Sequence, residues 1–126
     1  MAAAVGGGAE CLVNLTPHDI DIYDAAGATL LRTFKASGVV ARLRQMARVL
    51  KRHGNVDIGI THLFQNEAVD LPPACIGTLY IVSMPMALAL CDSRSDLVAP
   101  DVSAGQAVRD AHGVVGTRRL TRYRFS

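Results

Sequence analysis

Four polar side chains of different chemistry stand within six positions of the stretch VNLTPHDIDIY: Asn14, Thr16, His18 and Asp19, set around Pro17. An imidazole here offers a hydrogen-bond donor, a base near neutral pH or a partner for a carboxylate. A turn by itself asks for less. Pro17 presets φ at the second turn position, Thr16 supplies a hydroxyl at the first, and the Asn14 amide can bond neighbouring backbone. Two readings stand side by side, a structural turn and half of a binding site.

Ser83 closes the run TLYIVS just before Met84. It can cap a helix that starts there, or present its hydroxyl and nearby N–H groups to an anion. The order Ser-Met-Pro lacks the G-x-S-x-G elbow, so a serine hydrolase is poorly supported. Arg94 and Asp96 flank Ser95 in the polar stretch CDSRSDLVAPD. They suit a structural bidentate pair or the capture of a planar or phosphorylated ligand. The small and acidic neighbours Asp92, Ser93 and Ser95 give Arg94 little apolar cover, which favours an open pocket. In RRLTRYRF, residues 118–125, Arg alternates with apolar residues as on a solvated strand face; Tyr123 and Phe125 stacking on bases is the sharper alternative.

Metal and phosphate-loop chemistry find no support. His53, His62 and His112 share no ligand spacing with each other or with an acid, so no metal site and no cofactor is expected. The glycines at 6–8 precede neither a strand nor Lys-Ser/Thr. Cys11, Cys75 and Cys91 are odd in number and far apart, which reads as buried free thiols in a reducing, intracellular compartment. MAAAVGGGAE has no secretory pattern and is expected to be a flexible tail over 1–10, with one globular domain over 11–126. LYIVSMPMALALC, interrupted by Ser83 and Pro85, is too short for a membrane span.

A net charge of +2 does not call for a polyanion, yet residues 25–53 carry seven Lys or Arg and no acid. Eleven of the thirteen basic residues are Arg, which can supply bidentate anion donors.

The elements that must position these groups are mostly strands. Residues 11–15 and 20–23 alternate at period two. DAAG at 24–27 and DAHG at 110–113 each place Asp first and Gly fourth, so two hairpins are expected, with a strand from Ala28 to Phe34 after the first and residues 107–109 pairing with the final strand after the second. TLYIVS reads as a central strand buried on both faces, MPMALAL as a short helix with Pro85 in its first turn, and DLPPACIG as a loop. GVVARLRQMARVLKRHGNV fits both periods. The reading adopted is a strand over 39–43 running into a helix to 53, capped by Gly54, then a strand over 56–64. The fold class is therefore mainly β (α+β), a small antiparallel barrel or sandwich of about seven strands with one or two short helices.

N-L-T-P-H-x-I at 14–20, S-G-x-x-A-R at 37–42, Y-I-V-S at 80–83, R-x-D-L-x-x-P at 94–100 and V-R-D-x-x-G-x-x-G at 108–116 together resemble a group of short uncharacterised proteins of bacteria, phages and large DNA viruses. The likeness spans nearly the whole chain, although the basic stretch 45–53 looks longer here and the N-terminal Gly/Ala tail looks added. It implies no activity. It does imply that Asn14, Thr16, His18, Arg42, Ser83, Arg94, Asp96, Arg109 and Asp110 belong to one pattern.

The reading that follows is a non-enzymatic binding domain in which the 14–19 turn, Ser83 and the 94–96 loop converge on a small anionic or nucleotide-like ligand. Its rivals are a structural or protein-interaction module, a small hydrolase or transferase pairing His18 with Asp96 or Asp110, and nucleic-acid binding through the basic segments, the least favoured. A homo-oligomer is compatible with all of them.

Overall fold

The computed structural model describes residues 11–126, and the expected tail at 1–10 lies outside the described residues. Ten strands and one short helix follow in the order β1 (Cys11–Asn14), β2 (Ile20–Tyr23), β3 (Leu30–Phe34), β4 (Arg42–His53), β5 (Val56–Val69), β6 (Thr78–Ile81), α1 (Met84–Ala89), β7 (Leu97–Pro100), β8 (Ala107–Asp110), β9 (Gly113–Thr117) and β10 (Leu120–Thr121). The chain is mainly β, as its patterning requires. It forms no closed barrel but two four-stranded sheets, β1-β6-β7-β10 and β3-β2-β9-β8, and a separate two-stranded ribbon, β4-β5.

Both D-x-x-G hairpins form. In the first, the Asp24 carboxylate accepts the Ala28 N–H at 2.9 Å, the Gly27 N–H donates to the Asp24 carbonyl at 2.9 Å, and Gly27 takes φ +73°. In the second, the Asp110 carboxylate accepts the His112 N–H at 2.7 Å and the chain turns at Gly113. The pairing is less antiparallel than expected. β6 runs parallel to β1 and β7, and β2 parallel to β9. Parallel neighbours need a crossover, and α1 supplies one between β6 and β7. Pro85 sits in the first turn of α1, and β6 is central between β1 and β7.

One buried cluster joins Leu15, Ala41, Leu43, Tyr80, Val82, Met86, Ala87, Leu90, Leu97 and Ala99. A second, of Ile20, Phe34, Ile81 and Val98, holds the two sheets together. The cysteines correct an expectation: all three are free, but Cys11 and Cys75 are exposed and Cys91 half-exposed. Each lies at an element edge or in a loop, where a small apolar residue covers nothing.

The larger correction concerns 39–53. No helix forms there. β4 runs unbroken from Arg42 to His53 and pairs with β5 across Gly54, which has φ +65° and serves as a turn residue rather than a helix cap. In a helix, Arg44, Arg48 and Arg52 would stack like charges at i, i+4 spacing. In the ribbon Arg44 meets Glu67 at 3.1 Å and Arg52 meets Asp57 at 2.6 Å. The competing period therefore wins through a partner strand that no local window contains.

Gly27 has a second constraint. A Cβ there would run into the Arg118 guanidinium, whereas one at Gly38, also at positive φ, would meet nothing. Gly27→Ala should therefore lower the urea-unfolding free energy by more than the roughly 1 kcal/mol expected of an alanine forced to positive φ, and by more than Gly38→Ala does. Equal losses at the two sites would show that Arg118 swings aside freely.

Candidate functional site

The Asn14 side chain is buried and fully committed. Its Nδ2 donates to the carbonyls of His18 at 2.8 Å and Phe34 at 2.9 Å, and its Oδ1 accepts the Thr16 N–H at 2.9 Å. The Thr16 hydroxyl lies 2.7 Å from that same oxygen and 3.0 Å from the His18 carbonyl. Both side chains hold the turn. Asp19 accepts the Ala36 N–H at 2.8 Å, which holds its carboxyl below the usual carboxylate range. His18 is exposed, and among the described residues no hydrogen bond or ion pair joins it to Asp96 or Asp110.

Arg94 and Asp96 form the bidentate pair, with Nε and NH2 each 2.8 Å from a carboxylate oxygen, and the same NH2 donates to the Pro72 carbonyl at 2.9 Å. Their side chains are only 20 % and 12 % exposed, so Arg94 clamps the 70–77 loop instead of facing a pocket, while Asp96 also lines an open depression of about 380 Å³ with Ser95, Arg122 and residues 74–79. The guanidinium hydrogen bonds hold the Asp96 carboxyl low, and Asp96 holds the Arg94 pKa up. Topology also separates this pair from Ser83: Asp96 immediately precedes β7 while Ser83 follows β6, and the two strands are parallel. The Asn14 turn lies at the Ser83 end, beside the C-terminal end of β6, where the Leu15 N–H donates to the Ile81 carbonyl at 2.8 Å. Arg109 and Asp110 lie elsewhere again, exposed at the β8–β9 turn of the other sheet. The nine residues therefore do not converge on one site.

Two of them do meet. Arg42 and Ser83 line an open groove of about 560 Å³ between the root of the β4–β5 ribbon and α1, with Arg44, Gln45, Leu63 and Met86. Its wall is fixed by Gln65, whose Nε2 donates to the Ala89 carbonyl at 2.8 Å, and by Arg44, which pairs with Glu67 and stacks 4.9 Å over the Phe64 ring. The Ser83 hydroxyl makes no cap to α1, and among the described residues Arg42 has no hydrogen-bond or ion-pair partner.

Three of the four arginines of RRLTRYRF hold internal contacts, and Arg124 is exposed. Arg118 donates to the carbonyls of Ala25 at 3.1 Å and of Gly105 and Ala107 at 3.0 Å; Arg122 donates to that of Ser95 at 2.6 Å. Arg119 reaches the buried Asp101 at 2.8 Å, and the Ser103 hydroxyl, then Arg119, hold that carboxyl low. Residues so far apart carry no spacing signal that could have announced these contacts. Tyr123 packs, half-buried, against the first core cluster, while Phe125 is exposed.

Among the described residues no group of three or more His, Cys, Asp or Glu is placed to hold a metal ion, and no helix is long and apolar enough to cross a membrane. Comparison with protein-family models, curated proteins and solved structures returned no match to this chain.

Breaking the partly buried Arg94–Asp96 clamp by Arg94→Ala should cost about 1–3 kcal/mol, between an exposed and a buried pair, read from urea midpoints. Because Asp96 and Asp101 have lowered pKa values when folded, the stability they contribute is complete above the ordinary carboxylate pKa and falls away as the pH drops through the folded values. Unfolding midpoints should hold from neutral pH down to about 5 and decline below about 4. Asp96→Asn should be less stable at neutral pH and show a shallower acid decline.

Proposed function

We propose that this chain is a non-enzymatic binding domain whose working surface is the β4–β5 arm. The supporting observation is the exposure of the arm. At about 3.3 Å per residue its strands extend roughly 40 Å, and beyond Leu43 every residue of β4 is exposed. Large apolar side chains lie open on it, among them Met46, Val49, Leu50, Val56, Ile58 and Leu63. A two-stranded ribbon is marginal by itself in water, and apolar surface of this extent on a small domain marks contact with another macromolecule. The two acids of the arm, Asp57 and Glu67, are each paired with an arginine, Arg52 and Arg44.

The groove at the arm's root supports a second reading, the capture of a small anionic or nucleotide-like ligand. Arg42 offers an uncommitted guanidinium there, and Ser83 a free hydroxyl. This keeps the anionic-ligand expectation but confines it to two of the nine residues.

Native mass spectrometry of the protein isolated from cells that naturally make it separates these readings. A bound polypeptide is expected on the full chain and not on a variant with residues 47–61 replaced by Gly-Asn. A retained small molecule lost in Arg42→Ala, with the shortened arm harmless, would favour the groove. A bare monomer throughout would overturn both.

A further inference from the structure

We propose that the arm's partner is a second copy of this chain, joined edge to edge through β5, so that two ribbons make one four-stranded sheet in the order β4-β5-β5-β4; this rests on the arm being the working surface.

The two outer edges of the ribbon differ. β4 carries Arg42, Arg44, Arg48, Lys51 and Arg52, whereas β5 carries no Lys, Arg or Pro. Charged and proline side chains are what keep an exposed strand edge from pairing. The β5 edge lacks that guard, since its acids Asp57 and Glu67 are already paired with β4 arginines. Every residue from Val56 to Leu63 has a partner on β4, so this stretch is a continuous strand. Among the described residues β5 neighbours no strand but β4, and no backbone hydrogen bond leads from 56–63 to another part of the chain. Its outward N–H and C=O groups are therefore open to a new strand. Val56, Ile58, Ile60 and Thr61 are β-branched, the type that packs well on a sheet.

Charge decides which strand fills that edge. Two β4 edges brought together would set cations beside cations, and a β4 edge against a β5 edge leaves one bare β5 over in every pair. Two β5 edges related by a two-fold axis close on themselves. The cationic β4 strands then lie outermost, about 14 Å apart across three strand spacings. That exceeds the screening length of about 8 Å at physiological salt, and the same cations block a third copy. With the axis at Gly59, the antiparallel register sets Ile58 against Ile60 of the partner subunit, Val56 against His62 of the partner subunit and Asp57 against Thr61 of the partner subunit. No like charges meet. Val56, Ile58, Ile60 and His62 share one face of the ribbon, so the two aliphatic rows merge across the seam and cover each other. A foreign strand would have to be ordered on binding, whereas the second copy presents β5 already extended, which removes that cost.

The size of the contact is sufficient. Pairing 56–62 on itself adds about seven backbone hydrogen bonds, roughly one for each residue pair, within the range of about 5–15 that specific interfaces carry. Four strands with an apolar face also meet the requirement for a sheet that is stable by itself, which a two-stranded ribbon does not.

Sedimentation velocity on the purified full chain tests this. The wild type is expected to be dimeric at tens of micromolar. Ile58→Lys combined with Ile60→Lys sets like charges against each other across the seam and should weaken the dimer at least about tenfold, the loss that central contacts produce. Ile58→Glu combined with Ile60→Glu should do the same. An equimolar mixture of the two double variants should form a heterodimer, because opposite charges then face each other. Arg48→Ala, on the outer strand, should leave the dimer intact. The chain with 47–61 replaced by Gly-Asn should be monomeric, and it serves where a double variant loses the circular dichroism of the body. A monomeric wild type, a dimer that survives arm shortening, or folded double variants that fail to associate when mixed overturns the proposal. So does a dimer undone by Arg48→Ala, which would place the contact on the cationic strand. A monomer that still carries another polypeptide when isolated from its natural source leaves the binding-domain reading standing and removes only this partner.

Discussion

A primary amide buried away from water must have its donors and acceptor satisfied, and Asn14 does so by tying the end of β1 to the carbonyl of Phe34 at the end of β3. The two strands belong to different sheets. That single side chain therefore closes the corner where the sheets meet, with the Ser37 N–H returning a bond to its backbone carbonyl at 3.0 Å. Without it, the buried Phe34 carbonyl would be left unpaired, at a cost of about 1–3 kcal/mol, while the His18 carbonyl would keep the Thr16 hydroxyl. Both the core and the arm depend on this corner. The chain leaves it at Ala36, and the Ala41 N–H bonds the Leu15 carbonyl at 3.0 Å immediately before β4 begins.

Arginine does at the far end of the body what asparagine does at this one. Arg118 gathers three carbonyls from the first hairpin turn and the start of β8, and Arg119 and Arg122 fasten the last strand to Asp101 and Ser95. A guanidinium presents five donors in a rigid fork, so it can close several loop ends where no ladder reaches them. Arg118, Arg119 and Arg122 of the C-terminal segment are thus spent within the molecule. Among the described residues Arg42, Arg48 and Lys51 on the arm engage no hydrogen-bond or ion-pair partner, and neither do Arg109 and Arg124 on the body.

The parts legible in the residues were those decided locally. The Asp and Gly of each D-x-x-G turn act within four positions, so the two hairpins could be read directly. The unbroken apolar run TLYIVS identified a strand that is indeed central, and Ser-Met-Pro marked a helix start. The Arg94–Asp96 pairing was legible as chemistry. Its burial was not, since the cover comes from the Pro72 loop 22 residues away. The clustering of nine polar residues into one site failed for a related reason. Parallel order places the residue after one strand and the residue before its neighbour at opposite ends of a sheet, and strand order is not written in any single segment.

Composition and local turn chemistry by themselves determined that this is a β-rich chain with two tight hairpins and a short helix after Ser83, because period-two alternation, Asp-to-backbone bonds and proline's fixed φ act over a few residues. Tertiary structure alone decided the rest. It made 42–53 a strand because β5 supplies opposite charges and a ladder that a helix there would lack. It turned Arg118 and Arg122 inward because unpaired carbonyls lay within their reach. It left the ribbon standing clear of the body, since each apolar stripe is shielded only when another surface of matching shape and charge meets it, and the order of strands in space decides which surfaces remain.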